Sequence, residues 1–208
     1  MKAPTWPASV TLQGEHVRLE ALSADHTIEL VEATQDGRLW ELWYTSVPAP
    51  EQMASEIKRR QDLRQAGSML PFAVISLMAG PHHGKAVGMT TYMNIDAANR
   101  RLEVGSTWYQ KAVRRTALNT DAKRLLLTHA FEELDCIAVE FRTHFLNHQS
   151  RRGIERLGAK LDGILRCHQL NKHPAALSSV RDTCVYSITA GEWPAVKAHL
   201  THQLLKAR

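Results

Sequence analysis

The sequence has little cysteine, no long apolar run and no metal-binding motif. Three cysteines, Cys136, Cys167 and Cys184, are widely spaced and form no CxxC pair. This excludes a disulfide framework and a zinc knuckle, and we expect small buried apolar residues instead. No stretch approaches the roughly 18 apolar residues of a membrane helix, and the first residues lack the apolar core of a signal peptide. We therefore expect a cytoplasmic protein without membrane association.

The eleven histidines form no HExxH pair and no convincing ligand set with cysteine or carboxylate. No metal is therefore expected. An auxiliary acid or base role for His144 or His148 stays open. Internal repeats and low-complexity linkers are also missing, and 208 residues are too few for two ordinary domains. Residues 1–208 are expected to form one domain, with an irregular leader over residues 1–14.

The charge balance allows an anionic partner without choosing one. A net charge of +5 and a pI near 9.3 suit ligands from a nucleotide to a nucleic acid. Nucleic-acid binding is the weaker hypothesis because the chain has no recognised motif of that kind. Its aromatic residues are also not interleaved with the basic runs, as stacking platforms require.

The stretch from Arg101 to Leu134 predicts a strand, a basic turn and a helix in succession. One face of the strand is expected to carry Leu102, Val104, Ser106 and Trp108, and the other Glu103, Gly105, Thr107 and Tyr109. Apolar residues then recur at helical spacing, and Asn119 or Thr120 can cap the helix. Between the two elements lie Lys111, Arg114 and Arg115. A helix N-terminus beside three cations describes a phosphate site, and a solvated basic turn is the alternative.

The rest of the chain predicts further strands and helices. Before the central stretch we expect a strand at His16–Ala21, a helix from Ser23 or Asp25 to Gln35, a helix at Glu51–Gly67, and strands at Leu70–Met78 and Lys85–Ile95. After it we expect a strand at Ile137–Thr143, a helix from Asn147 to Gly158, strands at Ala159–Leu170 and Asp182–Thr189, and a helix at Glu192–Lys206. Short connections favour antiparallel pairs, and the strand–helix–strand unit favours a parallel crossover.

This order of elements resembles the GNAT acyltransferase fold over nearly the whole chain. The segments that carry the resemblance are RLEVGSTWYQ, VRRTALNTDAKRLLLTHAF, THFLNHQSRRGIERLGAKLDGILR and RDTCVYSITAGEW. They are most similar to the branch of ribosomal-protein N-terminal acetyltransferases, of RimJ/RimL type. The resemblance implies an α/β (α+β type) fold with a central, mixed and mostly antiparallel sheet flanked by helices. It also implies acetyl-CoA as cosubstrate and transfer of an acetyl group to a primary amine.

The resemblance implies where acetyl-CoA binds. The family's turn reads Arg or Gln, two residues, Gly, one residue, then Gly or Ala, and Arg114, Ala117 and Asn119 stand at those three positions. Alanine adopts helical dihedrals, so the cradle persists if no positive φ is required there. The expected cofactor-binding residues are Trp108, Tyr109, Arg114, Arg115, Thr116, Ala117, Leu118, Asn119, Thr120 and Asn147.

The family's chemistry is direct attack of an amine on the thioester in a ternary complex. It needs a neutral amine, a stabilised oxyanion and a proton for the leaving thiolate. Glu103 matches the general base, acting through water, unless it is simply exposed or salt-bridged. Ile154 stands where the family has its tyrosine proton donor. The RimL-like pattern gives that role to Ser150, three residues after Asn147; alternatively, Asn147 only caps the helix and Ser150 only occupies its first turn.

The acceptor is either a protein N-terminal α-amine or a small-molecule amine. Its pocket is expected to use the first two helices, the linker with Trp40, Trp43 and Tyr44, and the excursion around His173. These three aromatics either pack in the core or line the pocket mouth, and large aromatics favour the core. A non-catalytic CoA-binding sensor or partner protein is the hypothesis from another class, motivated by the altered glycines and the missing tyrosine. The family includes monomers and homodimers.

Overall fold

The computed structural model describes residues 6–171, 173–177 and 179–206. Its helices are α1 (Thr27–Gln35), α2 (Met53–Gln65), α3 (Ala117–Thr128), α4 (His148–Arg156) and α5 (Trp193–Leu205). Its strands are β1 (Leu12–Gln13), β2 (Val17–Ala21), β3 (Met69–Ser76), β4 (Ala86–Asp96), β5 (Arg101–Tyr109), β6 (Ala138–His144), β7 (Lys160–Leu170) and β8 (Val180–Thr189). The expected leader is wrong at its end, because β1 pairs with β2. Residues 1–5 of that leader lie outside the described residues.

All eight strands form one sheet, in the order β1-β2-β3-β4-β5-β6-β8-β7. Every adjacent pair is antiparallel except β5 and β6, which are parallel. The helix α3 connects the two parallel strands, as the crossover rule predicts. The predicted mixed and mostly antiparallel sheet is therefore confirmed.

Helices cover the sheet on both faces. On one face α3 and α5 bury residues such as Leu126 and Leu200 against Val104 and Tyr186. On the other face Leu30 of α1 and Ile57 of α2 pack against Met89. The second face contains a buried cation that the apolar pattern of α2 did not predict. This cation is Arg60, which donates to Glu56 at 2.7 Å and to Thr91 at 2.7 Å.

The alternation predicted for β5 is wrong after Gly105. Ser106 has φ +48°, and the pairing of β5 with β4 shifts register there, which is a β-bulge. The extra residue reverses the faces of the residues that follow. Trp108 therefore packs on the α1 and α2 face, whereas Leu102 and Val104 pack on the α3 face.

The parallel strands β5 and β6 pair over a short length and then separate. Their register runs from Arg101 opposite Ala138 to Glu103 opposite Glu140. Beyond that point, among the described residues, β5 continues along β4 and β6 continues along β8. The sheet thus contains a V-shaped opening whose apex is at Glu103.

Two helix starts follow different capping residues. Helix α3 begins earlier than expected, because Thr116 rather than Asn119 or Thr120 is its N-cap and accepts a hydrogen bond from Leu118 N at 3.3 Å. Helix α4 has the predicted cap, since Asn147 Oδ1 accepts from Ser150 N at 3.0 Å.

One of the three cysteines departs from the expected burial. Cys136 and Cys184 are buried as expected, but Cys167 is exposed.

Candidate active site

Glu103 lies at the apex of the opening and is only 5% exposed. Its Oε2 accepts a hydrogen bond from Asn94 Nδ2 at 2.7 Å and lies 3.5 Å from Arg142 Nε. Burial raises the pKa of Glu103, while the Asn94 hydrogen bond and the charge of Arg142 oppose that rise. The site thus holds a carboxylate that is a stronger base than an exposed one.

Gly105 leaves room beside this carboxylate. A Cβ at Gly105 would lie 2.6 Å from Glu103 Oε1 and 2.7 Å from Met93 Sδ, so a larger residue would displace both side chains. The glycine is therefore required by a close approach within the site, which is one reason for a glycine in a strand interior.

The basic turn precedes an open helix N-terminus. Arg114 Nε donates to Tyr109 O at 3.0 Å, and burial lowers the pKa of Arg114 while Asp36 opposes that shift. Arg115 is exposed and adopts φ +61°, so the positive φ of the turn falls on this residue. Ala117 is the first residue of α3 and needs no positive φ, which removes the objection to alanine at this position.

Not all of the expected cofactor-binding residues present a side chain to this turn. Leu118 and Thr120 are fully buried, and the Thr120 hydroxyl accepts from Arg156 at 3.3 Å. The Trp108 ring packs in the α1 and α2 core, and Tyr109 packs against the opposite core with its hydroxyl buried. These four residues can contribute through backbone groups, whereas Thr116 and Asn119 are half-buried at the helix start.

Helix α4 begins just after β6 ends. Ser150 is half-buried in its first turn, and its hydroxyl has no hydrogen-bond partner among the residues described. Ile154 is buried in the core and offers no proton. Arg151 already has hydrogen-bond partners within the fold, because it donates to Tyr186 Oη at 3.1 Å and to Phe145 O at 3.2 Å.

The aromatic linker lies beside the end of β6. Trp43 and Tyr44 are half-buried, and their rings lie 5.0 Å and 6.5 Å from the ring of His144. His173 Nε2 lies 3.3 Å from Trp40 O, so the linker and the excursion lie next to each other. Trp40, Trp43 and Tyr44 are not among the buried core residues, which favours the pocket-mouth interpretation over core packing.

Several residues of this site were missed by sequence reasoning. Asn94 reaches Glu103 because it sits in a second irregularity of β4 with φ +47°. Arg142 and Arg181 come from β6 and β8, and Arg181 acts on the pKa values of both Glu103 and His144. The alternation of β6 was the available sign for Arg142, since Arg142 and Glu140 share the face opposite Phe141.

A groove of about 520 Å³ extends from this cluster across the face of β6, β8 and β7. Its lining residues include Arg101, Glu140, Arg142, Asp162 and Val185. Arg142 lines the groove, donates to Glu140 at 2.8 Å and also lies beside Glu103. It therefore connects the groove with the buried carboxylate.

The described residues contain neither a candidate metal site nor a membrane-spanning helix. Residues 6–171, 173–177 and 179–206 contain no group of three or more His, Cys, Asp or Glu side chains placed to hold a metal ion. Among the helices of this described part, none is long and apolar enough to cross a membrane.

Residues 16–160 match the family model for the acetyltransferase (GNAT) domain, which is more than half of the chain. The chain belongs to the GNAT acetyltransferase family. Its members are N-acetyltransferase enzymes, and the predicted family and enzyme class are confirmed. The crystal structure of a GCN5-related N-acetyltransferase from Brucella melitensis is 30% identical, with a TM-score of 0.82, and covers 97% of this chain and 87% of that chain.

Some of the proteins that this chain resembles carry ribosomal descriptions. A protein of Bacillus subtilis named "Putative ribosomal N-acetyltransferase YdaF" is 31% identical to this GNAT chain over 118 residues, 56% of the chain. The match spans 60% of that relative's length. RimL, described as a ribosomal L7/L12 alpha-N-protein acetyltransferase, is 14% identical with a TM-score of 0.72 and covers 88% of this chain and 95% of that chain. The likeness to RimL shows the fold alone.

Proposed function

We propose that the protein is an acetyl-CoA-dependent N-acetyltransferase whose acceptor is a protein N-terminal α-amine. The observation that carries the proposal is the buried carboxylate of Glu103 at the apex of the opening between β5 and β6. A base of raised pKa belongs where an ammonium group must lose its proton before it attacks.

The chain offers a suitable place for acetyl-CoA. The first N–H groups of α3, together with Arg114 and Arg115, form a site for the pyrophosphate. The separated strands β5 and β6 leave room for the pantetheine arm, whose amide groups can pair with the strand edges as an added strand does. Asn147, at the start of α4, lies at the end of the same opening.

The residues divide the proton transfers between them. Glu103 accepts the proton of the acceptor ammonium through a water molecule, and the neutral amine attacks the thioester carbonyl. When the carbon–sulfur bond breaks, Ser150 donates its hydroxyl proton to the departing thiolate, directly or through water, and takes up the second proton of the amine nitrogen in its place. Glu103 and Ser150 lie on different elements, so either can be altered without changing the other.

The groove supports a polypeptide as the acceptor. It is open along the sheet, Arg142 joins it to Glu103, and its volume of about 520 Å³ has room for a polypeptide segment. The description of the Bacillus subtilis relative as a ribosomal N-acetyltransferase agrees with this choice.

The test measures thiol release from acetyl-CoA with a panel of peptides and small amines. We expect transfer to peptide N-termini, with a rate reduced about 10²- to 10⁴-fold in Glu103→Gln and clearly reduced in Ser150→Ala. Glu15→Gln is the matched control, because its side chain is 85% exposed. Unchanged rates in both site variants would refute the catalytic assignment. Acetyl-CoA binding without transfer to any acceptor would favour the non-catalytic CoA-binding protein.

A further inference from the structure

Two side chains near Glu103 carry N–H groups that have no hydrogen-bond partner among the described residues. They are His144, at the end of β6, and Arg181, on the neighbouring strand β8. His144 lies opposite Thr183 in the register of these strands, and Arg181 is two residues beyond Thr183. Both therefore share the face that carries Glu140 and Arg142.

A backbone hydrogen bond determines which ring nitrogen of His144 carries the hydrogen. Its Nδ1 lies 3.1 Å from Leu146 N, and a backbone N–H only donates, so Nδ1 is the acceptor. In the neutral ring Nε2 then carries the hydrogen. His144 is 5% exposed, and Nε2 is buried without a partner among the described residues. His144 is thus a donor, which overturns the possibility of a general base at Nε2.

Arg181 supplies a second donor with positive charge. Its Nε donates to Thr183 Oγ1 at 3.0 Å, and no carboxylate of the described ranges forms an ion pair with it. Arg181 is half-buried, and its positive charge acts on both Glu103 and His144. A half-buried cation with free N–H groups favours an oxygen acceptor from a ligand.

The spacing of these groups suits a chain longer than an amino acid. Glu103 lies opposite Glu140, and His144 follows Glu140 by four residues on β6. At about 3.3 Å per residue this separation is about 13 Å, the length of three to four extended residues. A free amino acid is too short to reach from Glu103 to His144.

We propose that Arg181 and His144 form the specificity subsite of the acceptor, binding the first backbone carbonyl oxygens of a polypeptide whose N-terminal amine lies at Glu103. This inference rests on the proposed function. The ring of Trp43 packs on His144, and the incoming peptide displaces it to reach Nε2. The positive charge of Arg181 also disfavours polyamines, which have similar length but carry cations in place of carbonyl groups.

Equilibrium binding to the protein–CoA complex tests the subsite by titration calorimetry. The probes are alanine amide, trialanine amide and spermidine. We expect trialanine amide to bind more tightly than the other two. Arg181→Met should weaken its binding about 10- to 100-fold, and His144→Asn about fivefold. In His144→Asn the side-chain oxygen can still accept from Leu146 N, but the N–H donor at the position of Nε2 is lost. In His144→Gln the longer side chain places an N–H donor near that position and should restore part of the affinity.

The control is Arg152→Met, which removes an exposed arginine of α4 and should leave peptide binding unchanged. The subsite is overturned if spermidine or alanine amide binds as tightly as trialanine amide, or if Arg181→Met binds the peptide like the native chain. Acetyl transfer is measured separately. Selective peptide binding without transfer would refute the proposed activity alone, and transfer without peptide preference would refute the subsite alone.

Discussion

Glu103 is surrounded by groups that act on its charge in opposite directions. Burial and the neighbouring Glu140 raise its pKa, whereas the Asn94 hydrogen bond, Arg142 and Arg181 lower it. Arg142 is shared, because it also donates to Glu140 at 2.8 Å. The basicity of the site is therefore set by neighbours that can be removed one at a time.

Replacing Arg142 should move the pH dependence of transfer. Only the deprotonated Glu103 acts as base, so the acidic limb of kcat/KM follows its pKa. Arg142→Met removes a nearby positive charge, raises the pKa further and should shift this limb to higher pH. The measurement is the pH profile of kcat/KM with a peptide acceptor. If the acidic limb did not shift, the group that titrates in the pH profile would not be Glu103.

Lys123 is a buried cation that the proposed chemistry does not use. Its Nζ donates to Thr107 Oγ1 at 2.7 Å and to Thr90 Oγ1 at 3.2 Å, and burial lowers its pKa to about 7. The two hydroxyls also contact each other at 2.8 Å, so they remain paired without the lysine. Burial of Lys123 therefore lowers the stability of the fold.

Lys123→Met should stabilise the protein at pH 7. The unfolded lysine titrates near 10.5 and the folded one near 7, so between these values the unfolded chain binds the extra proton. The native chain therefore gains stability as pH rises from 7 to 10.5, and the penalty is constant below pH 7. Thermal unfolding should give a higher Tm for the variant at pH 7, with a smaller difference near pH 10. A variant less stable than the native chain at pH 7 would show that the two threonine contacts outweigh burial.

At the scale of elements, α3 joins the core to the proposed phosphate site. The Thr116 hydroxyl makes two hydrogen bonds at the start of α3. It accepts from Leu118 N and donates to Val113 O at 2.7 Å. The sequence analysis expected Asn119 or Thr120 as the cap and missed Thr116. The choice is decided by the buried Leu118, which must be inside the helix to reach the core.

Thr116→Ala should destabilise the first turn of α3. Loss of the cap costs about 1 kcal/mol, which lowers Tm by about 2–4 °C in a chain of this size. Thr116→Ser retains the hydroxyl and should keep most of the stability. The measurement is thermal unfolding of both variants with and without acetyl-CoA. Equal Tm values for the alanine and serine variants would contradict the assigned cap.

The bulge of β5 could not be predicted from the alternation of its residues. Alternation predicted the strand correctly from Arg101 to Tyr109 but placed Trp108 on the wrong face. One extra residue at Ser106 reverses every side chain after it, and no rule of spacing predicts where that residue lies. The bulge at Ser106 lies directly beside Gly105, where a Cβ would come within 2.6 Å of Glu103 Oε1.

At the scale of the whole molecule, the opening between β5 and β6 connects the two faces of the sheet. The basic turn and α3 lie on one face, and Trp43, His144 and Arg181 lie on the other. The element types and the parallel crossover were predictable from periodicity and connection length. The cluster around Glu103 was not, because Asn94, Arg142 and Arg181 come together only through pairing of strands distant in sequence.

The opening between β5 and β6 and the start of α3 form the proposed binding site for acetyl-CoA. The most direct measurement is a thermal-shift titration with acetyl-CoA, CoA and ATP. At about 100 times its dissociation constant, acetyl-CoA should stabilise the native chain by about 2.7 kcal/mol. ATP should have no comparable effect. Arg114→Glu should lose the response, whereas the charge-matched control Lys206→Glu, at the exposed end of α5, should retain it. No stabilisation of the native chain by acetyl-CoA, or an undiminished response in a folded Arg114→Glu, would contradict the account.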